Sequence, residues 1–200
     1  EVLDIDEDLY RREILTTRLY GYLRIPVEMH LTQSRKSPTP LSDAQAIESI
    51  AWEVVDHMEP GVNYLIGAGT TTRGVMEALE LPNTLIGVDL VRDRELIVSD
   101  LSERDILAHI AGYPTKLVIT VTGGQGYLFG RGNQQFTPQV IRQIGRENLM
   151  ILATPAKLAQ LRGQPLLVDT FDPELNRSLC GYYRVISGYG EYTLCRVMDE

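Results

Sequence analysis

Cysteine, histidine and tryptophan are scarce among these 200 residues, numbering two, three and one. Cys180 and Cys195 stand far apart, with neither a C-x-x-C nor a Cys/His ligand spacing, which argues against a metal site. Two reduced core thiols in a cytoplasmic protein are expected instead. His30, His57 and His109 each stand alone and read as surface or satisfied histidines, His57 and His109 on predicted helices. No apolar run approaches the roughly 20 residues that span a bilayer, and no signal peptide is visible. Positive charge is not in excess: the net charge of −8 argues against a general nucleic-acid or anionic-membrane surface, though a local basic site is compatible with it. A nucleophile elbow, a serine triad and an H-E-x-x-H pair are also missing. The chain opens at Glu1 without a methionine, so a portion of a longer protein is expected.

What is present is an average globular composition, 44% hydrophobic and 23% charged, in a length that suits one domain, or one domain plus a small appendage. Val2 to Ile25 reads as strand-rich, with Arg18–Ile25 as an edge or hairpin element, and Gln33 to Pro40 as an exposed linker. Residues 1–40 are therefore taken as a strand-rich segment and linker, and 41–200 as an α/β domain. Ser42-x-x-Gln45 reads as a capping box ahead of a helix that Pro60-Gly61 stops. Strands are expected at Tyr64–Ile66, Thr84–Leu90, Leu117–Val121, Leu149–Ala153 and Leu166–Val168. Helices are expected at Thr70–Leu79, from Ser102 to Ile110, and at Pro138–Ile144. Thr137-Pro138, Thr154-Pro155 and Asp172-Pro173 each put a capping residue before a proline at the first helical position. Such alternation means an α/β fold, a mainly parallel sheet of about five or six strands flanked by helices. Strand-rich additions are expected at both ends, the second being Tyr182–Ile186 and Tyr192–Val197 around Gly188-Tyr189-Gly190.

Two glycine-rich turns carry the chemistry. The first is Gly67-Ala68-Gly69-Thr70-Thr71-Thr72-Arg73, and the second Gly123-Gly124-Gln125-Gly126, followed by Arg131, Asn133, Gln134 and Gln135. A turn of small residues before a helix exposes N–H groups at the positive end of the helix dipole, which suits phosphate or carboxylate. Thr70, Thr71 and Thr72 add hydroxyls and Arg73 a charge; the alternative is a tight turn with a threonine cap. The first turn is neither of the standard motifs: a threonine replaces the third glycine of the dinucleotide fingerprint, and Val75 replaces the P-loop lysine. In the second turn, three glycines in four positions clear Cβ atoms from the path of a ligand, and Arg131 and Asn133 supply hydrogen bonds. Asp89 and Asp169 are expected at strand ends, as structural or substrate-orienting groups with a general base left open.

Several stretches together resemble the ATP–NAD kinase-like family, in the branch that includes the acetoin-catabolism X protein. They are Asp4-Ile5-Asp6-Glu7, Arg18–Pro26, Ile66-Gly67-x-Gly69-Thr70-Thr71-Thr72, Gly123-Gly124-Gln125-Gly126-x3-Gly130-Arg131-Gly132-Asn133-Gln134-Gln135 and Ala153-Thr154-Pro155-Ala156-Lys157-Leu158. The likeness runs from Glu1 to Val197 and fits the C-terminal portion of those proteins. It implies a phosphotransferase that moves a phosphoryl group from ATP to NAD, with Mg²⁺, giving NADP. It also implies a preceding domain that carries a Gly-Gly-Asp-Gly motif, which this chain lacks; Gln125 stands where the aspartate of a similar sequence would be. The expected ligand site comprises Gly67, Gly69, Thr70, Thr71, Thr72, Arg73, Asp89, Gly123, Gly124, Gln125, Gly126, Arg131 and Asn133, with no metal ligands and no catalytic residue assigned. A weaker likeness, in the order of elements, is to sugar-phosphate isomerases, deaminases and lactonases, which would make Asp89 an acid/base; a noncatalytic metabolite-binding domain is the third reading. The expected partners are a nucleotide or phosphorylated small molecule and the absent N-terminal domain, with a homo-oligomer left open.

Overall fold

The structure, a computed structural model, describes residues 2–5, 17–21, 41–122 and 124–200. The chain falls into two units, Glu1–Lys36 and Ser37–Glu200. In the first, β1 (Val2–Ile5) pairs antiparallel with β2 (Thr17–Gly21), Ile5 opposite Thr17 and Val2 opposite Gly21, with a bulge between Val2 and Leu3. The linker expected at 33–40, the end of the Arg18–Ile25 element, His30 and Gly123 lie outside the described residues.

The second unit begins with α1 (Leu41–Asp56), β3 (Asn63–Ile66), α2 (Thr70–Ala78), β4 (Asp89–Arg92), β5 (Glu95–Val98) and α3 (Glu103–Ile110). It continues through β6 (Thr115–Thr120), β7 (Tyr127–Phe129), α4 (Pro138–Ile144), β8 (Leu149–Leu152), α5 (Pro155–Gln160), β9 (Leu166–Val168) and α6 (Pro173–Leu179). A long ribbon closes it, β10 (Gly181–Gly188) and β11 (Glu191–Asp199). Its strands form one nine-stranded sheet in the order β5-β4-β3-β6-β8-β10-β11-β9-β7. Strands β3, β6, β8 and β10 run parallel, as do β11, β9 and β7. The direction reverses between β10 and β11, and again at β3–β4 and β4–β5.

The sheet is mainly parallel, as expected, but larger than five or six strands. The strand-rich tail is present as the β10–β11 hairpin, and it sits in the middle of the sheet, β10 against β8 and β11 against β9. Strand β4 starts at Asp89, not Thr84, because residues 84–88 fold around the Asp89 carboxylate. The hairpin β4–β5 turns through Asp93 and Arg94, whose φ angles of 53° and 64° suit a two-residue mirror-image turn. The predicted caps of α4, α5 and α6 are present: Thr137, Thr154 and Asp172 accept hydrogen bonds from Val140, Lys157 and Leu175 N–H groups. Ser102 and Asp105 form a reciprocal capping box on α3. Ser42 is not the N-cap of α1, since the helix already includes Leu41.

Alternate residues serve two cores, as the period of a strand dictates. Leu65, Leu117, Ile119, Ile151 and Val185 face one cluster, with Leu128, Phe129 and Val197 from the strands beyond. Tyr64, Ile66, Val118, Leu152 and Ile186 face the other, under α1 and α2. Strands β6 and β7 stand five places apart in the sheet, yet Thr122 N–H bonds the Tyr127 carbonyl at 2.9 Å. The sheet therefore curls until its β7 edge returns beside the end of β6. Cys180 and Cys195 are free, and burial pushes the Cys195 thiol up. No helix of the described residues is long and apolar enough to cross a membrane.

The ribbon tip is tied to α1. Glu53, 3% exposed, accepts hydrogen bonds from Gly190 N–H and the Tyr192 hydroxyl, while Tyr189 binds Ser49 and Asp56. Burial pushes the Glu53 carboxyl up, but Tyr192, Gly190 and the nearby His57 together outweigh it and hold it below its ordinary value. The same contact raises the Tyr192 phenol.

Candidate functional site

Strands β3, β6 and β8 end together, and the segments leaving those three ends meet there. After β3, Gly67 extends the ladder by donating its N–H to the Val118 carbonyl. A Cβ on Gly67 would stand 2.9 Å from the Phe136 ring. Gly69 has φ 146°, where side chains rarely fit, and a Cβ there would lie 2.3 Å from the Thr120 methyl. These two glycines let the start of α2 pack directly on β6. The Thr72 hydroxyl turns back to the Gly69 carbonyl (2.9 Å), and Arg73 N–H bonds the same oxygen, opening the helix.

The three threonines do not form an open row of hydroxyls. Thr71 and Thr72 are fully buried and only Thr70 is exposed, because Thr71, Thr72, Val75 and Met76 share the inward face of α2. Into this buried end comes Lys157 from α5. Its Nζ donates to Thr71 Oγ1 at 2.9 Å and to Thr120 Oγ1 at 3.2 Å. The Thr120 hydroxyl in turn donates to the Leu152 carbonyl (3.0 Å). Beneath it, Thr154 donates to Asp43 Oδ2 at 3.0 Å, both residues being buried. Thr120 and Asp43 are not among the residues that sequence analysis singles out, and Lys157 stands there only within the Ala153–Leu158 stretch of the family resemblance, with no role assigned to it. The local signal for Lys157 was its place three residues after a capping threonine at the end of a buried strand; its partners come from distant segments.

Asp89 lies beside the first turn, though at the start of its strand: β4 runs antiparallel to β3, so Asp89 sits opposite Ile66. Its buried carboxylate accepts hydrogen bonds from Thr84 N–H (2.6 Å), the Thr84 hydroxyl (2.7 Å) and Asp100 N–H (3.0 Å). Those donors give it a loop-closing role. Arg73 pairs with Glu77 through a 2.7 Å contact along the helix surface, and with Gly67, Gly69, Asn83, Thr84 and Asp89 it lines a narrow crevice.

The second turn comes after β6, next to β3, and so lies at the same end. The Thr122 carbonyl accepts N–H bonds from Gln125 (3.3 Å) and Gly126 (3.0 Å), and Gly124 and Gly126 have φ near 76° and 78°. Arg131 and Asp169 do not join it. They come after β7 and β9, whose carboxyl ends point away from those of β3, β6 and β8 because the sheet reverses at β10–β11. Arg131 stacks over the Tyr127 ring at 4.6 Å and pairs with Glu200, while Asp169 accepts from Phe171 N–H. Asn133 bonds the Leu128 carbonyl through Nδ2 (2.7 Å) and leaves its buried Oδ1 unmatched. The chain then returns as far as Phe136, beside Gly67. His57 and His109 stand near the amino ends of β3 and β6, where the Asn63 side chain bonds the His109 carbonyl and the Tyr64 hydroxyl bonds that of His57.

An ammonium group that reaches two hydroxyls at a helix N-terminus suits an anion. It does not suit a divalent cation, which takes carboxylate and carbonyl oxygens; the Asp43 and Asp89 carboxylates already accept hydrogen bonds from Thr154, Thr84 and Asp100. Among the described residues no cluster of three His, Cys, Asp or Glu side chains could hold a metal. The family model described as the ATP-NAD kinase C-terminal domain matches residues 61–197. No curated protein and no solved structure matches the chain.

Proposed function

Because the chain belongs to the ATP-NAD kinase C-terminal domain family, we propose that it is the ligand-binding C-terminal part of an NAD kinase-like phosphotransferase. The reaction would transfer the terminal phosphoryl group of ATP to a hydroxyl of NAD, leaving ADP and NADP. The observation that carries the site assignment is Lys157, whose Nζ spans Thr71 and Thr120 at the start of α2. In this reading a phosphate of either nucleotide lies over Gly67 and Gly69, against the exposed Thr70 and the first N–H groups of α2. Lys157 neutralises its charge, and Thr71 and Thr120 keep the ammonium in place. Gly124 to Gly126 form the adjoining wall, Arg73 and Asp89 border it, and Thr72 fixes the turn. In-line phosphoryl transfer needs positioning and charge neutralisation above all.

Magnesium usually assists such transfers, but this donor set does not fit it. A metal-linked carboxylate would come from an N-terminal domain, which the proposal makes necessary for activity; the setting would be cytoplasmic. Calorimetric titration with NAD, ATP–Mg²⁺ and sugar phosphates tests the reading. NAD or ATP should bind, and Lys157→Ala should weaken that binding by about 10- to 100-fold with an unchanged melting temperature. Binding of sugar phosphates alone, or an unaltered affinity in the variant, would refute it.

A further inference from the structure

One side of the first glycine turn has hydrogen-bonding capacity that binding a phosphate does not use. Lys157 reaches the start of α2 from the β6 side, where it meets Thr120. Strand β3 stands between β6 and β4, and the narrow crevice lies on the β4 side. Asn83, Thr84 and Asp89 line it together with Gly67, Gly69 and Arg73. The loop that brings Asn83 there is pinned at both ends. Leu81 N–H returns to the Met76 carbonyl at 2.9 Å, and Thr84 holds Asp89 through its N–H and its hydroxyl. Between these anchors, the half-buried Asn83 makes no side-chain hydrogen bond among the described residues.

Asp89 also has capacity to spare. A carboxylate offers about four acceptor positions. Its Oδ1 accepts from the Thr84 hydroxyl and Asp100 N–H, whereas Oδ2 accepts from Thr84 N–H alone among the described residues. The side chain is 2% exposed, so its remaining acceptor position belongs to whatever enters the crevice. A second anion is repelled there. A hydroxyl is not, because it can donate to Oδ2 while accepting from the Asn83 amide, and a donor to an ionised acceptor makes the stronger kind of hydrogen bond. Recognition is thus divided across the turn, a cation for phosphate on one side and a carboxylate with an amide for hydroxyls on the other. A matching ligand carries hydroxyls a few bonds from a phosphate. ATP and NAD share such a unit, an adenosine ribose with a phosphate on its 5′-oxygen. Resting on the nucleotide reading above, we propose that Asp89 and Asn83 read a hydroxyl of that ribose, Asp89 accepting a hydrogen bond from it and Asn83 donating one to it. The site then selects ribonucleotides over their deoxy counterparts.

Calorimetric titration of the full chain tests this with ATP and NAD, each beside its analogues lacking the 2′- or the 3′-hydroxyl of the adenosine ribose. Wild type should bind the parent nucleotide about 10-fold or more tighter than one of the two analogues. Asn83→Ala, which breaks no hydrogen bond of the fold, should cut that preference at least about threefold with an unchanged melting temperature and an unchanged affinity for the analogue. Lys157→Ala should weaken parent and analogue by the same factor and leave the preference intact. Equal affinity for the parent and both analogues would overturn this inference while leaving the nucleotide reading in place. So would a preference that Asn83→Ala does not reduce. Binding of neither ATP nor NAD would overturn both.

Discussion

The two ends of the sheet both carry glycine-rich loops, and the glycines serve different purposes. At the carboxyl ends of β3, β6 and β8 they make room for side chains: Phe136 presses on Gly67 and Thr120 on Gly69. That end is closed, with two buried threonines and a lysine drawn in among them. At the carboxyl ends of β7 and β9 the constraint comes from the backbone. A Cβ on Gly130 would stand 1.9 Å from the Asp169 carbonyl oxygen, whereas one on Gly132 would meet nothing within 4 Å. That end is open, and Phe171 projects from it with 82% exposure and φ 60°. Density of glycine therefore says that backbones come close, and leaves open whether a ligand is the reason. A cation brought to a helix start by hydroxyls from distant segments is the more discriminating mark.

Substitution can sharpen that contrast. Gly130→Ala should have the largest effect, about 4 kcal/mol or outright misfolding, since a carbonyl cannot retreat as a side-chain tip can. Gly132→Ala, with φ 79° but open surroundings, should cost only about 1 kcal/mol; equal losses in thermal melts would erase the distinction within this loop. Next comes Thr154→Val, which removes a helix cap and the buried partner of Asp43. Denaturant unfolding should show a loss of about 2–3 kcal/mol. The two ends should then separate in ligand binding: Arg131→Ala ought to leave affinity within about twofold while Lys157→Ala reduces it strongly. A reversal of that order would move the site to the other end.

The smallest effect is in pH. Glu53 has a depressed folded value, so its contribution is complete above the ordinary glutamate pKa of about 4.3 and fades as pH falls through the lowered one. The melting advantage of wild type over Glu53→Gln should shrink steadily in acid. An advantage that persists well below that range would mean that packing alone holds the ribbon tip.

Much of this was written locally. Threonine or aspartate before proline marked three helix starts, and the glycine turns marked the ends of two neighbouring strands. The burial of Thr71 and Thr72 also stems from helical phase with Val75 and Met76, although the run of hydroxyls suggested otherwise. Strand partnership is not local. Nothing in Tyr182–Val197 says that it belongs between β8 and β9, yet that insertion reverses the sheet and sends Arg131 and Asp169 away from Gly67. The apolar run Leu85–Val88 resembled a strand, but the Asp89 carboxylate competes for the backbone N–H groups of Thr84 and Asp100. Lys157 was left out of the expected site because its importance comes from Thr71 and Thr120, residues remote in sequence.

The central ribbon is also synthesised after the other seven strands of the sheet. Strands β3, β6 and β8 can pair as they emerge, and β7 with β9, but only β10 and β11 join the two sets. Until the ribbon is made, the nascent chain holds two half-sheets with unsatisfied edges, the kind of intermediate that invites aggregation. Cooperative folding of the domain thus waits for residues 181–199 to clear the ribosome, and a chain stopped before them should be a substrate for chaperones or proteases.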